Sequence, residues 1–458
     1  MIEVVAVETP GLGDRSYVAS DGDAAVVVDP QRDVDRVLAV VERFGARVRL
    51  VVETHIHNDY VSGGLALARV TGAEYALSGA EEVAFVSERT PLADGDELIA
   101  GSMRVRVVAT PGHTPHHLSY VLGDASGTPL AVFTGGSMLF GAAGRTDLMG
   151  DECTAALTAA QWHSIRSLAE ALDDGVHVHP THGFGSFCSA APTRPVSTST
   201  VADERMSNPA LLLSKDEFTE MLLAGLVAYP SYYAHMGPRN RQGAVAIDLS
   251  PPPDIEVDEL PHHIGNGGWV VDVRPRSAFA AAHLPGTVGV ELGDPFATYL
   301  GWTMPWGTPL TLFGPDASAL SEAQRALARI GVDRPAGRAV GSVDAHLARG
   351  YPVATFADMA RFWPDGERRL VLDVRRRDEW RDGHLAGAIH VPLYELVRRR
   401  DEVPTNVELW VHCASGFRAS IAASLVDDGS RAVVLVDDEF GAAPAMGLPV
   451  TRRDARAR

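Results

Sequence analysis

The chain has 458 residues, with 40 lysines and arginines against 59 aspartates and glutamates, a formal charge of −19. This acidic balance excludes a nucleic-acid binder held by a broad basic field, and 46% hydrophobic with 22% charged residues excludes a disordered chain. No apolar run reaches the roughly 20 residues of a membrane span, and the opening residues lack the basic and apolar regions of a secretory signal, so a cytoplasmic protein is expected.

At roughly 100–200 residues each, two to four domains are predicted. From residue 3 to 60 the pattern reads VVAVET, YVAS and AAVVVDP as strands, VDRVLAVVERFG as a helix, and LVVETHIH as a strand and its exit. Strands mixed with crossover helices predict an α/β fold. YALS, MRVRVVATP, LSYVLG and LAVFTG continue the strands, a helix is predicted over 153–172, and the short VHVHPTHG follows. Turn and helix signals over 186–240 close this unit, and the proline-rich segment 250–261 reads as a linker.

Beyond the linker lies an internal repeat. Residues 270–290 align without gaps on 371–391, pairing Asp272 with Asp373, Arg274 with Arg375, His283 with His384 and Gly286 with Gly387. Each copy reads as an apolar strand ending in Asp, a short helix, a His-Leu-x-Gly turn and a later apolar strand, which predicts a small α/β fold with a parallel sheet. The expected domains are therefore 1–245, 246–354 and 355–458.

Two clusters of residues carry chemistry. Thr54-His55-Ile56-His57-Asn58-Asp59-Tyr60 follows an apolar strand, His113 follows another, and His179 and His182 follow a third. Imidazoles at i and i+2 beside a carboxylate, at a strand's C-terminal end, are suited to sharing a metal. The second cluster is Cys413-Ala414-Ser415-Gly416-Phe417-Arg418, between a strand and a helix. There the first amides of the helix stabilise a thiolate, Gly416 lets the loop curl, and Arg418 adds positive charge.

These motifs carry resemblances. T-H-x-H-x-D, P-G-H-T-P, F-T-G and G-R-T-D (Gly144 to Asp147) resemble the metallo-β-lactamase fold, an αββα sandwich, and within it the persulfide dioxygenase branch, over residues 1–245. In that branch two histidines and a carboxylate hold one iron(II), leaving positions open for O₂ and a persulfide sulfur. The resemblance makes His55 and His113 the two histidines. The carboxylate of its F-T-G-D motif is absent, because the segment here reads Phe133-Thr134-Gly135-Gly136. Tyr60 stands where the two-metal hydrolases of the fold carry a histidine. Three arrangements stay open: a three-histidine centre with His57 beside His55 and His113, a weak two-histidine site, or a metal-free scaffold. Gly136 is expected to leave space for an outside carboxylate. Asp59 and His182 complete the candidate ligands, iron(II) is the expected metal with zinc as the alternative, and Arg145 is expected to face substrate.

The second repeat, with D-V-R and G-H-L-x-G-A, resembles the rhodanese sulfurtransferases. That resemblance implies that Cys413 carries a sulfane sulfur, with Ser415 and Gly416 around the substrate and Asp373, Arg375 and His384 supporting the fold. In the first repeat the cysteine position falls on Gly314, so that domain is expected to be architectural. Cys188, close in sequence to His182, is a further candidate for handling sulfur, whereas Cys153 opens a helix without nearby cations. The whole order resembles bacterial persulfide dioxygenase–sulfurtransferase fusions. It implies persulfide oxidation to sulfite, transfer to thiosulfate, small thiol persulfide, sulfite or thiosulfate as partners, no nucleic acid or membrane partner, and a homo-oligomer. The alternatives are a sulfur carrier with a degenerate first domain and a zinc thioesterase of the glyoxalase II type.

Overall fold

The computed structural model describes residues 1–183, 185–363 and 369–452, so the last residues of the expected third domain lie outside it. The chain forms two compact units, 1–247 with 328–331, and 248–327 with 332–458.

In the first unit two six-stranded sheets stack on each other. One runs Glu3–Thr9, Asp14–Ser20, Ala24–Val28, Arg47–Val52, Glu74–Ser78 and Thr90–Leu92. Its first three strands are antiparallel and the rest parallel. The other is ordered Ser199–Thr200, His177–Pro180, Pro129–Gly135, Leu118–Gly123, Met103–Ala109 and Glu97–Ala100. Side chains alternate faces along a strand. Val26, Val28, Leu50 and Val52 therefore meet Val105, Val107, Tyr120 and Phe133 between the sheets. Val27, Val51 and Leu77 point outward, onto the helix residues Val37, Val41, Leu65 and Leu67. Val121, Val132 and Val178 likewise cover Ile165 and Leu168 of the helix Asp151–Glu170. The result is the αββα sandwich. That long helix begins two residues before the sequence expectation, with Asp151 and Glu152 in its first turn, where negative charge complements the helix dipole.

The second unit holds two parallel sheets. One is ordered Val288–Gly289, Trp269–Asp272, Leu310–Gly314 and Gly337–Val340. The other runs Val353–Ala354, Ala432–Val436, Glu408–His412, Arg369–Asp373 and Ile389–His390. The repeat is visible bond by bond. Arg274 forks onto Asp272 and donates to the Ala282 carbonyl at 2.9 Å, and Arg375 forks onto Asp373 and donates to the Gly383 carbonyl at 2.7 Å. His283 Nδ1 lies 2.9 Å from the Phe279 carbonyl, and His384 Nδ1 lies 2.9 Å from that of Trp380. These residues support the fold in both copies. At Gly314 an added Cβ would lie 2.8 Å from Leu320 Cδ2 and from Val273 Cγ2, so the first copy has closed the space its cysteine would need.

Candidate functional site

Four strand exits converge in the first unit. His55 leaves Arg47–Val52, His113 leaves Met103–Ala109, Gly136 ends Pro129–Gly135, and His182 follows His177–Pro180. His55, His57, His113 and His182 are all buried there. Ring centroids lie 4.1 Å apart for His55 and His57, 4.8 Å for His55 and His113, and 5.2 Å for His113 and His182.

Each ring is anchored through one nitrogen. Thr54 Oγ1 donates to Asp29 at 2.7 Å, so it accepts from His55 Nδ1 at 2.9 Å and leaves Nε2 of His55 bare. His113 Nδ1 donates to the Arg145 carbonyl at 2.7 Å. His57 Nε2 lies 3.2 Å from Glu53, 3.3 Å from Asp29 and 3.0 Å from the Tyr60 hydroxyl, and its Nδ1 has no partner. His182 Nδ1 meets Asp14 at 2.9 Å and Asp59 at 3.2 Å, while its Nε2 faces His55 Nε2 at 3.4 Å. A carboxylate, hydroxyl or carbonyl behind each imidazole, with the other nitrogen turned inward, is the arrangement that orients metal-binding histidines.

Charges follow the same geometry. Burial, with the neighbouring imidazoles, holds His55 well below the ordinary histidine value, and burial brings His113 down to about 3. Burial also opposes charge on His57, yet Asp29 and Glu53 hold it up at about 10. His182 is likewise held at about 10 against burial by Asp59 and Asp14. Burial and Asp59 push Asp14 up to about 8. The cluster thus pairs bare nitrogens with imidazoliums whose protons a cation would displace. Asp14 and Asp59 are both buried against His182, two carboxylates gathered on one imidazole, which is an electrostatic setting that suits a cation.

The structure sorts the sequence expectations. His55, His57 and His182 bring ligand atoms within 4.8 Å of one another, as do Asp14, Asp59 and His182. The expected trio of His55, His57 and His113 is not the one that gathers, because His113 groups with His182 and Cys188 instead. Gly136 does not leave open space: an added Cβ would fall 2.1 Å from His113 Cδ2, so the ring itself occupies the room of the missing carboxylate. The two-histidine, one-carboxylate set of the dioxygenase branch is therefore incomplete here, while the donors present suit a divalent ion. Arg145 is also corrected. It is 1% exposed and forks onto Asp147 at 2.7 Å twice, donates to the Phe187 and Val227 carbonyls at 2.9 Å, and stacks on Tyr229. Those bonds turn its guanidinium into the protein.

Sequence reasoning missed Asp14, Asp29 and Glu53, and also His117. The Gly136 amide donates to His117 Nε2 at 3.0 Å, so Nδ1 carries the proton and meets Thr110 Oγ1 at 2.9 Å. His117 stacks under His55 with both nitrogens engaged, as a support. The signal available was the doubled histidine of TPGHTPHH. Cys188 lies buried beside this cluster, its thiol pushed well up by burial and by Asp59 and Asp14. Cys153 sits partly exposed in the helix Asp151–Glu170.

In the second unit Cys413 is 1% exposed, between the strand Glu408–His412 and the helix Phe417–Val426. Gly416, at φ +88°, caps that helix, and Ser415 is exposed at the loop tip. Arg418 does not stand as a free charge beside the sulfur. Its guanidinium forks onto Glu379 at 2.6 and 2.8 Å. The cysteine-less repeat reaches this loop as well: Tyr299 packs on Phe417 at 5.8 Å, and Arg276 Nε meets both Asp437 oxygens at 3.0 Å.

Comparison with known proteins agrees with both halves. Residues 10–135 match the metallo-beta-lactamase superfamily, and residues 358–441 match the rhodanese-like domain. The persulfide dioxygenase ETHE1 of Homo sapiens is 31% identical over 216 residues, covering 46% of this chain and 74% of that protein. A hydroxyacylglutathione hydrolase of Acidiphilium cryptum is 30% identical over 246 residues, 47% of this chain and 93% of that protein. A Staphylococcus aureus metallo-beta-lactamase structure shares the fold at a TM-score of 0.67, with 24% identity over 74% of this chain and 99% of its own. No helix among the described residues is long and apolar enough to cross a membrane. With a His/Asp cluster suited to a metal at the end of its first sandwich and a cysteine loop in its last parallel sheet, the chain belongs to the metallo-β-lactamase superfamily, as a homologue of the ETHE1 persulfide dioxygenases that carries a C-terminal rhodanese-like domain.

Proposed function

We propose that this sulfur-metabolism enzyme oxidises a small thiol persulfide to sulfite in its first unit and converts sulfite to thiosulfate through Cys413 in its second. The observation that carries this reading is the set of four imidazoles, each anchored through one nitrogen with the other turned inward, on a chain that also bears a strand-to-helix cysteine loop. One iron(II) per chain is the proposed metal, with zinc as the alternative; when bound, it supplies open positions where O₂ and a persulfide sulfur meet.

Persulfide, O₂ and water give thiol, sulfite and two protons, the terminal sulfur being oxidised and O₂ reduced. His55, His57 and His182 would hold the metal, His113 closes the space beside Gly136, and the Asp14–His182 and Asp29–His57 contacts take up and release the protons that metal binding displaces. In the second unit the Cys413 thiolate attacks the outer sulfur of a persulfide, the S–S bond breaks and the donor leaves as a thiol. Sulfite then attacks the sulfur held on Cys413, forming the S–S bond of thiosulfate and regenerating the thiolate. One chain keeps sulfite close to its acceptor by raising its effective concentration.

The contact of His113 with the position of residue 136 favours a second reading, in which the first unit is a degenerate module beside a working sulfurtransferase. Tyr60, whose hydroxyl donates to the Asp29 carbonyl at 3.2 Å, offers no imidazole for a second metal and counts against a two-metal thioesterase. Elemental analysis of anaerobically purified protein, with O₂ uptake on glutathione persulfide, tests the first reading. Close to one metal per chain with O₂ uptake supports it; absence of both leaves the second. Cys413→Ser is expected to abolish transfer to sulfite and leave O₂ uptake intact, and retained transfer would remove Cys413 from the mechanism.

A further inference from the structure

We infer that Cys188 supplies the anionic ligand that position 136 no longer provides, so that the first unit holds its divalent ion through His113, His182 and the Cys188 thiolate. This rests on the reading that the histidine cluster binds metal, and it changes the ligand set and the metals that suit it.

Three observations point there. Ligand atoms of His113, His182 and Cys188 lie within 4.8 Å of one another, and all three residues are buried. The cysteine is also held in place by the same residue that holds His113: the Arg145 amide donates to the Cys188 carbonyl at 2.8 Å, and the Arg145 carbonyl accepts from His113 Nδ1 at 2.7 Å. The Arg145 guanidinium secures the neighbouring Phe187 carbonyl at 2.9 Å. One residue's backbone thus fixes two donors from segments 75 residues apart in sequence, as rigid coordination requires. Independently, Asp59 is 1% exposed, and its carboxylate lies 3.2 Å from His182 Nδ1 and bears on the Cys188 thiol. A cation bound at this trio would stand against that carboxylate, and thiolate plus carboxylate would balance its two charges.

The missing carboxylate gives the arrangement its chemical sense. With Gly136 and the His113 ring packed together, position 136 itself supplies no donor. A thiolate from the loop after His182 restores an anionic donor. Two imidazoles and a thiolate form a borderline-soft set, which suits iron(II), cobalt(II) or zinc and disfavours magnesium or calcium. Binding forms one sulfur–metal and two nitrogen–metal bonds and releases to solvent the thiol proton and the Nε2 proton of the His182 imidazolium.

Cobalt(II) tests this without reference to turnover. Full-length protein is stripped of metal, reloaded with cobalt(II) alone, and followed by absorption for a thiolate-to-cobalt charge-transfer band in the near ultraviolet. The band is expected in the wild type and in Cys413→Ser, and is expected to vanish in Cys188→Ser with cobalt affinity at least ~10-fold weaker. A wild type that binds one cobalt without the band, or a band that survives in Cys188→Ser, overturns the proposal while leaving a metal centre in place. A wild type that binds no cobalt overturns the metal reading itself. Should Cys188→Ser fail to fold, X-ray absorption on wild-type protein with its native metal decides: a sulfur shell at about 2.3 Å is expected, and a shell of nitrogen and oxygen alone overturns the proposal.

Discussion

His113 occupies the room beside Gly136: a Cβ at residue 136 would fall 2.1 Å from the ring carbon Cδ2, and the ring is pinned from behind by its 2.7 Å bond to the Arg145 carbonyl. Restoring the carboxylate by Gly136→Asp is therefore expected to force the ring aside instead of completing a facial triad. Overpacking of this kind costs about 1–3 kcal/mol. Chemical denaturation should show that loss, and elemental analysis should show no gain of metal; a variant of unchanged stability holding more metal would mean that the ring yields.

The histidine cluster was legible because each member directly follows an apolar strand, and strand exits are where this class of fold gathers chemistry. The repeat was legible for a similar reason, since Asp272 and Asp373 recur at equal spacing and make the same fork. What the chain order conceals is orientation. Asp29 reaches His57 across 28 positions and Asp14 reaches His182 across 168, pairings created by sheet topology alone. Arg145 reads as a residue that faces substrate, and only the carbonyls of Phe187 and Val227 show that its guanidinium is held inside the protein. Gly136 reads as vacant space because a sequence cannot show which ring has moved into it.

Asp29 organises one side of the cluster. Its carboxylate accepts from the Thr54 amide at 2.6 Å and the Thr54 hydroxyl at 2.7 Å, from the Thr181 hydroxyl, and faces His57 at 3.3 Å. Asp29→Ala would strand several buried donors and one buried imidazolium, for an expected loss of about 3–5 kcal/mol. Where His55, His57 and His182 hold the ion, Asp29→Asn should keep the fold and weaken metal binding about 10–100-fold by loosening the support behind His57; where His113, His182 and Cys188 hold it, affinity should not change. Competition with a chelator reads that difference; equal affinities would show that His57 is not a ligand.

Glu379 sets an acid limit on the second unit. Burial alone would raise its carboxyl, but the Arg418 fork outweighs burial and holds it below the ordinary 4.5. A carboxyl depressed in the folded state contributes stability above its unfolded value, and that contribution is lost as pH falls through the folded value. The second unit is thus expected to lose stability below pH ~4.5. Glu379→Gln should flatten this limb in a pH series of denaturation curves. The same variant frees Arg418 and should lower transfer by changing its position near Cys413, which initial rates with thiosulfate would detect.

Arg276 ties the cysteine-less repeat to the cysteine loop of its neighbour through Asp437. Asp437 presses on the cysteine loop so closely that a Cβ at Gly416 would lie 1.8 Å from its Oδ1, and Arg276 Nε covers both of its oxygens at 3.0 Å. Without that guanidinium, a carboxylate would stand bare beside the loop proposed to receive anionic sulfite and thiosulfate. For a partly exposed pair the charge effect is on the order of 1 kcal/mol. Arg276→Ala is accordingly expected to raise KM for sulfite about 5-fold at low ionic strength with kcat little changed, and added salt should shrink the difference because screening weakens exposed charges. Arg276→Lys should recover part of the loss, since it restores charge without the fork. A KM that does not move in either variant would make the contact purely architectural, the role expected for this repeat from its missing cysteine.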